Sequence, residues 1–317
     1  MIPDTADTAL SGLLSHLQSV GYRFVTPTPE THRRVTGRDP AAAARDLRGI
    51  FGWTLPFAQD LLPSALFDRL LAAGFLDGEA GLCRSRVRVS SLGDRLFVHS
   101  AYPTTAPDAV FFGPDSYRFA RFLEAEIAPD APVRRLVDIG TGAGVGAIVA
   151  AALVPGARLT LTDINPLALR FARINTRHAG VEVELVEGSG VGGIEGGFDL
   201  AIANPPFIVD PAQRAYRDGG AMHGGALSLE WALAAARKLR PGGRILLYTG
   251  SAIVDGVDRL EASLRESLPA GCSLRCAEID PDIFGEELDK AGYRDVERIA
   301  AIGAVITKAV DPGAGTG

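Results

Sequence analysis

The feature that most constrains the fold is an alternation of apolar runs with helical patterns after the first third of the chain. Seven runs are typical of strands: RLVDIG, ARLTLTDI, VEVELVEG, FDLAIAN, GRILLYTG, CSLRCAEID and RIAAIGAVITK. Helical patterns begin at Val145 and at Pro166, and a third covers residues 226–239. Such alternation is typical of a parallel sheet with helices on both faces. The sequence therefore predicts an α/β domain built on a seven-stranded sheet.

Three helical patterns in the first hundred residues predict a second, smaller domain. Leucines at helical spacing predict a helix over residues 5–20. Asp39 and Pro40 occupy the N-cap and first helical positions of a second predicted helix, which continues through AAAARDLRGIFGW. A third leucine-rich helix is predicted to end at Gly74.

A β-hairpin pattern follows these helices. In LCRSRVRVSSLGDRLFVHS, two alternating runs flank a Ser-Leu-Gly-Asp turn. Because strand side chains alternate, Arg84, Arg86 and Arg88 are predicted to share one face, which is either a solvated face or a phosphate-touching wing. Helices followed by a hairpin predict a helical, winged-helix-like domain over residues 1–105. A Pro-rich linker then leads into the sheet domain, residues 106–317.

Composition and charge narrow the class of protein. The chain has 317 residues, 47% hydrophobic and 22% charged, which is typical of a soluble globular protein of two domains. Residues 1–105 carry 11 arginines, no lysine and 10 acidic residues, for a charge of +1, whereas the whole chain carries −6. A strongly basic nucleic-acid binder is not indicated. A local basic face and a cationic small-molecule ligand both remain compatible with this balance.

Export, membrane insertion and metal binding are not indicated either. The first residues, MIPDTADTALSG, contain two acids and no basic region before an apolar run, and no apolar stretch reaches about 18 residues. Cys83, Cys272 and Cys276 are too few for a disulfide framework, and the CxxxC pair has no nearby histidine. We therefore expect a cytoplasmic protein that uses neither a membrane nor a metal.

A glycine-rich loop follows the first strand of the sheet domain. LVDIGTGAGVG, residues 136–146, is typical of a strand end, a tight turn and a helix start, where glycines let a ligand approach the backbone. Gly142, Gly144 and Ala147 satisfy GxGxxA, so an NAD-dependent dehydrogenase is one interpretation. Asp138 favours S-adenosylmethionine instead, because a carboxylate repels a pyrophosphate and attracts an ammonium or sulfonium group.

An unusual strand ending is the second informative motif. FDLAIANPPFIVD, residues 198–210, ends an apolar strand on Asn204, two prolines and Phe207. Proline cannot donate to a β-ladder, and the residue before it is held extended. Asn204 therefore lies at the carboxyl edge of the sheet, where ligands of open α/β sheets bind. The motif is either a strand terminator or a preformed hydrogen-bonding site.

VDIGTGAG together with IANPPF resembles the class I S-adenosylmethionine-dependent methyltransferases. The resemblance is to the branch with an Asn-Pro-Pro-(Tyr/Phe) motif, which includes release-factor glutamine methyltransferases and adenine-N6 and guanine-N2 nucleic-acid methyltransferases. It covers about residues 110–310 and leaves out the N-terminal hundred. The resemblance implies a Rossmann-like fold and S-adenosylmethionine as the cofactor.

The resemblance also implies which residues bind the methyl donor. The loop residues expected along its methionine part are Asp138, Gly140, Gly142 and Gly144. Asp163, in LTDINPLAL, matches the acid that holds the ribose, and Ile164 is expected against the adenine. Ser189 is placed near the adenine amine, although GSGVGG departs from the commoner family pattern.

The segment VFFGPDSYRFA resembles the part of the family that enters the domain and folds over the donor. Its matching positions are Phe112, Gly113 and Tyr117. Beyond the Asn-Pro-Pro-Phe motif, the glycine-rich loop RDGGAMHGGALSLEW contributes Tyr216, Arg217 and His223 as candidate substrate contacts, although His223 is equally compatible with a loop residue of no role. Trp231 is interpreted as a core residue.

The family motif has a chemical explanation. A planar nitrogen is a poor nucleophile because its lone pair is delocalised. The Asn204 side-chain oxygen and the Pro205 carbonyl are placed to accept its two N–H hydrogens, which exposes the lone pair to the methyl carbon. Phe207 is predicted to stack on the planar group. What remains is alignment of nitrogen, methyl carbon and sulfur, so no separate base is needed.

The predicted function is therefore N-methyl transfer to a planar amide or exocyclic amino nitrogen, on a protein glutamine or a nucleobase. The N-terminal domain is expected to grip or cover the acceptor. The alternatives are methylation of a small aromatic amine or heterocycle, a lyase or cyclase that uses the donor's own amine, a non-catalytic binding protein and the NAD-dependent dehydrogenase.

Overall fold

The computed structural model describes residues 5–39, 41–79, 81–129, 131–210, 214 and 216–310. Its N-terminal part contains four α-helices, α1 Thr5–Ser19, α2 Pro29–Thr36, α3 Leu47–Phe51 and α4 Ser64–Ala72, and a 3₁₀ turn at Gln59–Leu61. Two antiparallel hairpins follow, β1 Leu76–Glu79 with β2 Leu82–Ser85, and β3 Val87–Leu92 with β4 Arg95–Ser100.

The remaining elements alternate along the chain as the sequence predicts. They are α5 Pro114–Glu126, β5 Arg135–Ile139, α6 Val145–Leu153, β6 Arg158–Asp163, α7 Pro166–His178, β7 Val183–Glu187, β8 Phe198–Ala203, α8 Ala226–Lys238, β9 Leu239–Val254, β10 Val257–Asp258, α9 Arg259–Ser267, β11 Cys272–Asp280 and β12 Arg298–Lys308. Short 3₁₀ turns cover Gly285–Glu287 and Ala291–Tyr293.

The large sheet confirms the predicted α/β architecture. Its strand order is β11-β12-β9-β8-β5-β6-β7, and the short β10 pairs with β9. The pairs among β9, β8, β5, β6 and β7 are parallel, whereas β12 runs antiparallel to both of its neighbours. The order reverses direction at β5 and β8, so a crevice opens beyond their carboxyl ends. Those ends carry the glycine loop and Asn204.

Helices bury both faces of this sheet. On one side Phe119 of α5 and Ala147 of α6 share an apolar cluster with Leu161 and Leu246 of the strands. On the other side Trp231 and Ala235 of α8 and Leu264 of α9 pack on the opposite strand side chains. The strands are apolar on both faces because both faces are covered.

The N-terminal elements pack directly on α6 and α7. Leu13 of α1 belongs to the same buried cluster as Ile148 of α6 and Phe171 of α7. The fully buried amide of Asn175 accepts from the Val98 nitrogen at 2.9 Å and donates to the Val98 oxygen at 3.0 Å. It also donates to the Ala143 oxygen at 2.8 Å. One side chain of α7 therefore joins β4 to the glycine loop.

Two expectations for the N-terminal part are wrong. The second helix begins at Leu47, not beside Asp39, because Asp46 is extended and accepts from the Gly49 nitrogen as an N-cap; Pro40 lies outside the described residues. In addition, Pro29–Thr36 forms a helix that the sequence reading missed. Its N-cap is Thr28, with proline in the first turn.

The predicted arginine face is not formed either. Arg84 donates to the Thr54 carbonyl and Arg86 faces Asp77, and both are exposed. Arg88 is 4% exposed, because α2 covers this side of β3. Neither a solvated face nor a phosphate-touching wing includes all three side chains.

Candidate active site

A cavity of about 610 Å³ occupies the crevice beyond β5, β6 and β8. Its walls come from the glycine loop, the strand end at Asn204 and the segment after β11. The N-terminal domain contributes Thr28, Pro29 and Glu30. The volume is in the range of small-molecule and cofactor sites.

The glycine loop brings bare backbone to the cavity. Gly140, Gly142 and Gly144 have φ angles of 66°, 54° and 78°, a region that other residues rarely adopt. A Cβ on Gly140 would lie 2.5 Å from the Trp231 ring. A Cβ on Gly142 would meet no atom within 4 Å, so this glycine faces open space. The loop therefore leaves room for a ligand at Gly142.

Asp138 lies at the end of β5 beneath this loop. Its buried carboxylate accepts from the Thr141 hydroxyl at 2.7 Å and from the Ala147 nitrogen at 3.1 Å. Burial raises the pKa of Asp138 to about 6, although both hydrogen bonds act to lower it, and neighbouring Asp163 raises it further. A cationic ligand group in the cavity would find a negative charge here above that pH.

The residues expected around the adenosine part lie together at the ends of β6 and β7. Asp163 accepts from the Gly142 nitrogen at 2.9 Å and from the Asn165 nitrogen at 2.9 Å, and burial raises its pKa. Ile164 is 53% exposed on the cavity wall, an apolar surface suited to a flat ring. Ser189 is also exposed and lines the cavity.

Asn204 and Pro205 line the same cavity at the end of β8. Among the described residues, neither the Asn204 side chain nor the Pro205 carbonyl has a hydrogen-bond partner. Polar groups inside proteins are normally paired. Both acceptors are therefore available to a ligand, as the motif chemistry requires.

Phe207 also lines the cavity, but most of its ring is covered. It is 7% exposed, packs on Gly250 and meets Phe284 edge-on at 5.6 Å between centroids. The predicted stacking role is limited to the part of the ring that reaches the cavity. Phe284 is a cavity residue that the sequence reading did not identify.

Several other cavity residues were missed. Asp115 is buried, accepts from the Tyr248 hydroxyl at 2.7 Å and from Arg118 at 3.2 Å, and has a pKa raised by burial. The motif segment around Gly113 contained this signal, since an acid two residues beyond a helix N-cap is placed by that cap. Trp231 belongs to the core and also lines the cavity; its indole nitrogen is buried without a partner in the described structure.

Tyr216 and Arg217 line the cavity, as predicted for substrate contacts. The Tyr216 hydroxyl donates to the Thr104 carbonyl at 2.6 Å, and its ring stacks on Phe111 at 6.2 Å. Arg217 is held by an ion pair with the buried Glu287. The loop side chains are thus fixed by contacts with the linker and with the segment after β11.

Three expected residues do not line the cavity. The Tyr117 hydroxyl accepts from the Thr26 nitrogen at 3.0 Å, because α5 turns this ring towards the N-terminal domain. Phe112 packs edge-on against it and stacks on His99, while Gly113 caps α5. His223 contacts Asp295 at 3.1 Å on the outer side of its loop.

Fold and cavity together define a class I methyltransferase. The family model described as "Methyltransferase small domain" matches residues 118–253. The release factor glutamine methyltransferase of Bordetella pertussis is 32% identical over 212 residues, which are 64% of this chain and 76% of that protein. The chain therefore belongs to the S-adenosylmethionine-dependent methyltransferase family that includes the release factor glutamine methyltransferases.

Other relatives match shorter parts. The release factor glutamine methyltransferase of Deinococcus radiodurans is 36% identical over 160 residues, 48% of this chain and 55% of that protein. The ribosomal RNA small subunit methyltransferase C of Serratia proteamaculans is 41% identical over 73 residues, 23% of this chain and 21% of that protein. The chain spans about half the length of the Deinococcus radiodurans and Koribacter versatilis relatives.

The cavity residues fit S-adenosylmethionine, the methyl donor of this family. Asp138 offers a carboxylate to a cationic group, Gly142 leaves open space, and Ile164 presents an apolar wall. Within the described ranges, no group of three His, Cys, Asp or Glu side chains could hold a metal. No described helix is long and apolar enough to cross a membrane.

Proposed function

We propose that this protein transfers a methyl group from S-adenosylmethionine to a planar nitrogen. The observation that carries the proposal is the pair of unpartnered acceptors at Asn204 and Pro205, in one cavity with the glycine loop. A strand terminator would not need two acceptors open to a cavity. The donor binds along the glycine loop, and the acceptor nitrogen lies at the end of β8.

The protein's part in the reaction is to position and polarise the acceptor. Asn204 and the Pro205 carbonyl hold two N–H hydrogens, which takes the nitrogen lone pair out of conjugation. Phe207 limits the orientation of the planar group. S-adenosylmethionine, when bound, supplies an electrophilic methyl group on a sulfonium. Holding the reactants in line supplies much of the rate enhancement.

The acceptor in this proposal is the side-chain amide of a protein glutamine. The similarity to release factor glutamine methyltransferases extends over 212 residues, against 73 for a ribosomal RNA methyltransferase. The cavity wall also includes the exposed acids Asp282 and Glu286, which disfavour a phosphate backbone. A nucleobase amine is the second candidate, because the same two acceptors would hold it.

The N-terminal domain covers the acceptor side in this proposal. Thr28, Pro29 and Glu30, at the start of α2, reach the cavity wall. We place the reaction in the cytoplasm, in keeping with the free thiols of Cys83, Cys272 and Cys276.

The test follows the label from methyl-labelled S-adenosylmethionine. The protein is incubated with donor alone, with release factors, with tRNA and ribosomal RNA, and with a metabolite extract. Label on a glutamine nitrogen of a release factor, located by peptide mass spectrometry, is the expected result. Label only in RNA bases or in metabolites transfers the proposal to those acceptors. Donor breakdown without any acceptor, or label on a carbon or oxygen atom, contradicts N-methyl transfer.

A further inference from the structure

Arg88 is a buried cation without an acidic partner in the described structure. It lies on β3 and is 4% exposed. One terminal nitrogen contacts His32 Nδ1 at 2.8 Å, and Nε is buried without a hydrogen-bond partner. An arginine stays protonated in proteins, so the charge persists. A buried unpaired charge strongly destabilises a fold unless something compensates it.

The surrounding side chains compensate this charge only in part. The Phe24 and Tyr102 rings lie 5.9 and 5.8 Å from the guanidinium carbon, at the outer limit of a cation–π contact. His32 and His99 are both neutral at physiological pH, because burial and Arg88 lower the pKa of His32 to about 4 and that of His99 well below 6.5. The other titratable groups facing Arg88 are Tyr22 and Tyr117, whose pKa values burial raises.

A second, small cavity adjoins Arg88. It measures about 20 Å³, and Arg88, His32, His99 and Tyr102 contribute to its wall. A water molecule needs roughly 10–15 Å³ of such space, so there is room for one small group. A water could accept from Nε, but it would leave the positive charge uncompensated. An anionic oxygen or a halide would satisfy both.

This small cavity lies beside the proposed acceptor site. Pro29, Thr104 and Phe111 line both cavities and form the partition between them. Thr104 also accepts from the Tyr216 hydroxyl, which faces the large cavity. A group bound at Arg88 would therefore contact the segments that carry the acceptor-side wall.

We propose that Arg88 and His32 form a small-anion site that binds a carboxylate group. The carboxylate comes either from a free small ion in solution or from the acceptor molecule itself. The first source makes the site a structural anion site. The second makes it an acceptor-recognition site and rests on the proposed function.

Wild-type protein and Arg88→Met are compared by thermal unfolding in sodium formate against sodium gluconate at constant ionic strength. Saturable formate binding at a hundredfold excess over Kd should raise the wild-type Tm by about 5 °C. Arg88→Met should show no such rise, and without formate it should be at least as stable as wild type, because an apolar side chain replaces an unpaired charge. No formate-dependent rise in wild type, or an equal rise in both proteins, overturns the proposal.

A measurement on wild type alone keeps the proposal testable if Arg88→Met does not fold. Crystals soaked in sodium bromide should show an anomalous peak within about 3.5 Å of Arg88 Nε, at hydrogen-bonding distance. A cavity without that peak, in crystals that bind bromide elsewhere, contradicts an anion site.

The two sources are separated in the methyl-transfer assay. Formate competing with the acceptor, together with a raised acceptor KM in Arg88→Lys, assigns the site to the acceptor's carboxylate. Formate that stabilises without competing assigns it to a free ion. If no acceptor is methylated, the proposed function fails, while the Tm and bromide results still decide the anion site.

Discussion

Replacing Asn175 with alanine should destabilise the protein strongly. The side chain is fully buried and satisfies the Val98 nitrogen, the Val98 oxygen and the Ala143 oxygen. Its removal leaves three buried backbone groups without partners, each worth about 1–3 kcal/mol. We expect a loss of about 3–6 kcal/mol in the free energy of unfolding, equivalent to a Tm decrease of about 10 °C.

The assay is urea unfolding followed by both circular dichroism and Trp fluorescence, since coincident transitions are needed for a two-state treatment. Arg177→Ala, at an exposed position of the same helix, is the matched control and should change stability by about 0.5 kcal/mol or less. Because Ala143 lies in the glycine loop, Asn175→Ala should also weaken donor binding. A loss below about 1 kcal/mol would refute the reasoning that these three bonds join the two domains.

Two further predictions concern the donor loop. Donor affinity, measured by calorimetry, should be highest above the Asp138 pKa of about 6 and fall as the pH drops through it, because protonation removes the charge that attracts the cation; Asp138→Asn should bind weakly with a flatter pH profile, and an unchanged profile would contradict this role. Gly142→Ala should cost about 1–2 kcal/mol of stability from its φ of 54° but lower donor affinity at least about tenfold, since the new Cβ enters open space. Gly140→Ala should lose more stability than Gly142→Ala, since its Cβ would lie 2.5 Å from Trp231, and equal Tm values would contradict this packing.

The sequence predicted the sheet and the motif positions well because both depend on local patterns. Strand and helix periodicities fixed the order of elements from Arg135 onward, and proline chemistry placed Asn204 at a strand end. Donor-loop positions followed from the glycine spacing. Their roles in binding stay predictions, although they line one cavity as expected.

What the sequence could not predict depends on contacts between distant segments. Tyr117 faces Thr26 rather than the donor, because the N-terminal domain packs against α5. Alternation along β3 gave the side of Arg88 but not that α2 covers it. Asp115 becomes a buried cavity residue only through Tyr248, 133 positions away.

The domain boundary at residues 105 and 106 and the winged-helix-like character of the first domain also stay predictions. One apolar cluster includes residues from both sides of that boundary, among them Leu13 and Phe171. Limited proteolysis of the linker would show whether either half folds alone.

The central claim is that Asn204 activates the acceptor nitrogen, and single-turnover methyl transfer by Asn204→Ala tests it most directly. The acceptor is the molecule that takes the label, the donor is saturating, and donor Kd is measured in parallel. His223→Asn serves as the control, because it lies off the cavity and asparagine tolerates its φ of 54°. We predict a rate about 10²–10³ lower than wild type with donor Kd unchanged. A near-wild-type rate with normal donor binding would contradict the account.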